Sequence, residues 1–147
     1  MGFRKPTTVA QVTEAVRKSD PLARPMVTLG VGSGRHPFLY ALLSGGIADG
    51  DSFFVTLTDR SVLFHEVASA GYRPGKLRYD IEHEQFRARI GEVRRRVLWS
   101  IFRFRFPGES EAAWLNVQRA WRPEMDRFLD VLDGYRLGAE ATDGRSS

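Results

Sequence analysis

Two runs, SFFVTLT (residues 52–58) and SVLFHEV (61–67), are separated only by Asp59-Arg60. Both are dense in β-branched and aromatic side chains, which suit a pleated, half-buried surface better than a helix. Two such runs joined by two residues close into an antiparallel hairpin. A hairpin is marginal alone, so the chain must supply more strands, and the period of two continues downstream. In KLRYDI (76–81), Leu77, Tyr79 and Ile81 alternate with Lys76, Arg78 and Asp80. In FRARI (86–90), Phe86, Ala88 and Ile90 oppose Arg87 and Arg89, and Gly91-Glu92 reads as a turn or bulge. Phe102, Phe104 and Phe106 alternate with Arg103 and Arg105, with Val97 and Trp99 on the opposite phase. A bulge near Ser100 is expected to turn both sets inward. After a turn at PGESE (107–111), AWLNVQ (113–118) forms the last strand.

Upstream, the apolar run 25–31, bounded by Pro and Gly, brings the strands to seven. Three segments change period. Thr8 and Gln11 have capping-box spacing, and Val9, Val12 and Val16 recur helically, so residues 8–18 read as a helix ended by Ser19-Asp20-Pro21. His36 to Leu43 reads as a second short helix with Gly45-Gly46 as its stop, and Gly71 to Gly75 as a loop. Trp121, Met125, Phe128, Leu129, Leu132 and Tyr135 line one face of a third helix, 121–135, with Pro123 in its first turn. At 147 residues the chain holds one domain, 7–136, with a barrel over about 25–118. Residues 1–6 are expected to be a flexible N-terminus, and 137–147, small and polar, a disordered tail. The expected class is mostly β with α. It is a seven-stranded antiparallel barrel or sandwich, capped at one open end by the C-terminal amphipathic helix, plus short N-terminal helices.

This order resembles the pleckstrin-homology-like (PH-like) fold, in particular the short bacterial PH-like domains. VTLTDRSVLFHEV (55–67) is similar to the family's apolar strand ending in Thr, tight turn with an arginine, and second apolar strand. KLRYDIEHEQF (76–86) is similar to the segment that follows. The PG turn with WRPEMDRFLDVL (121–132) is similar to its ending. The likeness spans about residues 52–133, while the helices at 8–18 and 36–46 depart from the family's compact first hairpin. It implies a non-catalytic adaptor that binds a protein or peptide, at a membrane surface or in an assembly. Phosphoinositide binding in eukaryotic relatives uses basic residues around the first strand pair. Here that region offers only Arg35 and His36, so headgroup binding of that kind is not expected.

The tempting chemistry lies in TLGVGSGRHP (28–37). A dinucleotide fingerprint needs a strand, a glycine turn, a helix and a parallel second strand with an acid at its end. The third glycine, Gly34, comes too early, Asp49 and Asp51 precede the next strand, and no GxxxxGK[ST] occurs. The stretch reads as a flexible connection. His36, His65 and His83 are scattered, and Ser33 has no nucleophile-elbow context. Asp80, Glu82, His83 and Glu84 form a dense polar run that reads as a solvated strand end, at most a weak cation site. Cysteine is absent, which removes disulfides and thiolate chemistry. No catalytic, metal or cofactor residues are assigned.

Charge is more informative. Arginine supplies 19 of the 22 basic residues, and the net charge is +4. Between Arg73 and Arg105 ten basic residues face four acidic ones. Arg87, Arg89, Arg103 and Arg105 alternate with core positions, and Arg94, Arg95 and Arg96 join them at a turn. These seven are the candidate face for an anionic ligand or partner, since guanidinium suits phosphate and carboxylate. The alternative is a solvated outer wall with cross-strand partners such as Asp80 and Glu92. The expected partner is first a protein or peptide, then an anionic membrane surface, then nucleic acid, which the Asp126, Asp130 and Asp133 side of the last helix would repel. The basic N-terminus lacks a following apolar region and no run spans a bilayer, so the expected location is cytoplasmic, at most peripheral at the inner membrane face.

Overall fold

The computed structural model describes residues 5–33, 52–68 and 73–145, with side chains described to Tyr135. Helix α1 (Lys5–Ser19) precedes strands β1 (Pro25–Ser33), β2 (Ser52–Thr58), β3 (Val62–Ala68) and β4 (Arg73–Ile81). Then come helix α2 (His83–Arg89), strands β5 (Ile90–Arg95), β6 (Trp99–Phe104) and β7 (Ala113–Gln118), a 3-10 turn at Arg119–Trp121, and helix α3 (Arg122–Arg145). All strand pairs are antiparallel, in the order β4-β3-β2-β1-β7-β6-β5. Two meanders, β1–β4 and β5–β7, therefore meet at a seam between β1 and β7. Among the described residues, Gly32↔Asn116 and Ser33↔Leu115 are in register there.

The class is as expected: mostly β with α, seven antiparallel strands and a C-terminal helix. The sheet is not closed into a barrel, however; β4 and β5 are its outer strands. The reason lies in residues 86–90, expected as a strand. Residues 86–89 belong to α2, which carries the chain from one outer strand to the other, and Ile90 opens β5. Phe86 and Ile90 are four residues apart and fit either period, so the alternation in FRARI is ambiguous. Glu84, Gln85, Arg87, Ala88 and Arg89 favour helix, and the Phe86 amide donates to the Glu82 carbonyl (2.8 Å). Ala88 is exposed, as a helix allows.

The other differences are local. Helix α1 starts at Lys5, so Thr8 is a buried helical residue, not a cap. β4 takes in Arg73, Pro74 and Gly75, expected as loop. An outer strand tolerates proline because one edge needs no donor. β5 shifts register between Ile90 and Val93, the bulge expected at Gly91-Glu92. No long strand runs inward from Val97. β5 and β6 are separate strands, and Val97 and Leu98 stand exposed in the turn between them. α3 continues to Arg145, through the stretch whose composition reads as a tail. The helix expected at 36–43 lies outside the described residues.

Residues opposite one another in antiparallel register share a face. Leu29, Val55 and Phe64 mark one face, over which α2 and α3 lay Phe86, Met125, Phe128 and Leu132. The sheet curls enough that Phe64 of β3 meets Phe104 of β6, ring centroids 5.3 Å apart. Phe53, Phe86 and Phe106 join the same aromatic cluster. Gly30, Phe54 and His65 mark the opposite face, where α1 packs with Val12 and Val16 buried. Lys5 Nζ ties the start of α1 to α3 through Glu124 Oε1 (2.7 Å) and the Ala120 carbonyl (2.8 Å).

Candidate functional site

The glycine stretch is structural as far as it is described. Thr28, Gly30 and Gly32 pair with Thr56, Phe54 and Ser52, so the expected flexible connection is, up to Ser33, a strand in the middle of the sheet. Amides engaged in ladders cannot cradle a phosphate. Gly32 serves the seam: a Cβ there would stand 3.3 Å from Asn116 Oδ1. Gly34 and the residues after it lie outside the description.

The seven candidate arginines are not one face. Arg87 and Arg89 are on α2, where Arg87 Nε is buried with no hydrogen bond among the described residues. Arg89 Nη1 donates to the carbonyl of Arg105, just past the end of β6 (3.1 Å). Arg95 points to the helix-covered face, where its Nε donates to Asp126 Oδ1 of α3 (2.9 Å). Arg94 and Arg103 do come together. The register Arg94↔Ile101 and Arg103↔Trp114, with Ile101↔Asn116↔Gly32, places both on the face away from α3. Their guanidinium carbons lie over the Trp114 ring, 5.7 and 5.1 Å from its centroid, within cation–π range. Arg94 Nε also donates to Glu92 Oε1 (2.6 Å). Arg96 stands at the turn, over the Trp99 ring at 5.8 Å.

Trp99, expected to turn inward through a bulge near Ser100, instead shares the face away from α3, because β6 pairs with β7 without a register shift there. Trp114 is a residue of this surface that the sequence did not assign. The signal for both was the phase of AWLNVQ and of WSIFRF. With Phe102 and Phe104 inward, Trp99 and Arg103 must share the outer face, and Trp114 stands opposite Arg103.

Other chemistry is limited. Ser19 Oγ lies 3.0 Å from His65 Nε2, a nucleophile–base spacing. His65 Nδ1 is buried and makes no hydrogen bond among the described residues, so no carboxylate orients the ring as a triad requires. The polar run at 80–84 is broken up: Asp80 is exposed on β4, while His83 Nε2 donates to the Thr58 carbonyl (2.8 Å) and its ring stacks on Tyr135 (4.2 Å). Among the described residues no group of three His, Asp or Glu is placed to hold a metal ion. The space between the sheet and α3, lined by Leu29, Val31, Phe102, Met125 and Phe128, is about 10 Å³. That holds one water at most and no organic ligand. No helix among the described residues is long and apolar enough to cross a membrane.

No family model, curated protein or solved structure matches the chain. The PH-like resemblance rests on the apolar pattern and element order alone.

Proposed function

We propose that this chain is a non-catalytic, PH-like interaction module that takes an acidic, extended segment of a partner protein along the outer edge of β5. One observation carries the reading. The Arg94–Trp114–Arg103 strip lies beside a strand whose far edge has no neighbour among the described residues of the sheet. A segment added there gains main-chain hydrogen bonds, and its alternate side chains fall on the arginine face. Carboxylates at those positions suit guanidinium groups held over an indole. Nucleic acid is the second reading, because Trp114 offers a ring among cations. It ranks lower because Arg94 and Arg103 already occupy the position over that ring that a stacked base would take.

The test uses labelled synthetic strands of alternating valine with glutamate, or valine with lysine, followed by fluorescence anisotropy. The glutamate strand is expected to bind and the lysine strand not. The double variant Arg94→Glu/Arg103→Glu is expected to weaken the glutamate strand at least about tenfold. Equal binding by the variant, or preference for an oligonucleotide with a steep salt dependence, overturns the reading.

A further inference from the structure

The β5–β6 hairpin turns through Arg96, Val97 and Leu98, where polar residues are the norm. Val97 is 75% exposed and Leu98 51%. The tip is nonetheless braced. The Arg96 amide donates to the Trp99 carbonyl (3.0 Å), the Arg119 amide to the Leu98 carbonyl (3.0 Å), and Arg122 Nη1 to the Arg96 carbonyl (2.8 Å). The junction of β7 and α3 thus holds the apolar tip outward and sets Arg96, Arg119 and Arg122 around it. Just behind, Glu92 and Asp126 are engaged by Arg94 and Arg95. Among the described residues Arg96 and Arg119 have no ion pair.

We infer that this tip is an anchor for an anionic lipid bilayer, with Val97 and Leu98 entering the headgroup–acyl boundary and Arg96, Arg119 and Arg122 meeting lipid phosphates. Two aliphatic side chains on a projecting turn have no π-face for a base. They also offer a protein partner little area, whereas a bilayer interface closes around a small convex group. The surrounding arginines supply the charge complementarity. The inference uses residues other than the Arg94–Trp114–Arg103 strip and stands apart from the peptide reading.

The experiment is co-sedimentation with phosphatidylcholine vesicles and with vesicles of equal parts phosphatidylcholine and phosphatidylglycerol, at low and near-physiological salt. The full chain is expected to sediment with the anionic vesicles and not with the neutral ones. Val97→Ser/Leu98→Ser, which alters two exposed side chains and leaves the charge intact, is expected to partition at least about tenfold more weakly with an unchanged far-UV circular dichroism spectrum. Arg96→Gln/Arg119→Gln is expected to weaken binding and flatten its salt dependence. Failure to sediment with anionic vesicles, full binding by the serine variant, or release of the wild-type chain by an oligonucleotide competitor would each overturn the inference.

Discussion

His65 is 1% exposed, enclosed between the sheet face it shares with Phe54 and the end of α1. Burial lowers its pKa below the ordinary imidazole value of 6.5, because the charged ring would lose water and gain no carboxylate. The unfolded chain therefore takes up this proton at a higher pH than the native one. The stability from neutral His65 is complete above about 6.5 and is lost as pH falls toward the native value. The melting temperature should drop on acidification below that point, and His65→Gln should show a shallower drop. Parallel curves for the two proteins would remove His65 from the acid response. None of this was legible in the sequence. SVLFHEV gives the histidine a sheet face, but its partner Ser19 lies 46 residues away and is brought near only by the docking of α1.

At the scale of elements, β2, β3 and β7 sit within a residue of their expected limits. β2 is buried on both faces, so a β-branched and aromatic run bounded by turn residues, and not alternation, is what marked it as strand. FRARI failed because Phe86 and Ile90 satisfy both periods and Ala88 is too small to decide between them. The Val97-Leu98 tip was missed for a related reason: an apolar residue next to a strand reads as strand, and what turns it outward is the bracing from Arg119 and Arg122, far along the chain. The PG turn before β7 was legible, and it uses its glycine. Gly108 has φ +86°, and a Cβ there would meet nothing within 4 Å. The penalty of a side chain is thus conformational alone. Gly108→Ala should cost about 1 kcal/mol in urea unfolding, and an unchanged midpoint would mean that the turn relaxes freely.

For the whole molecule, α1 and α3 cover opposite faces of one sheet and are tied to each other through Lys5. Trp121, fully buried where β7 passes into α3, also lies under the Lys5 ammonium (5.7 Å). Trp121→Ala should cost about 3–5 kcal/mol. The loss should appear as one transition, with circular dichroism and the fluorescence of the remaining tryptophans coincident. Two separated transitions would show instead that the meanders unfold independently.

The seam between β1 and β7 also bears on how the molecule comes into being. A chain made from its N-terminus has β1–β4 long before β7 exists, and each of those strands can pair with a near neighbour as it emerges. During that interval β1, destined for the middle of the sheet, is an outer strand with one side open. The join that encloses it waits for β7, and its register sets Gly32 against Asn116, 84 positions further along the chain. Closing so long a loop is the slow kind of step. The sheet is therefore expected to complete itself at its centre last.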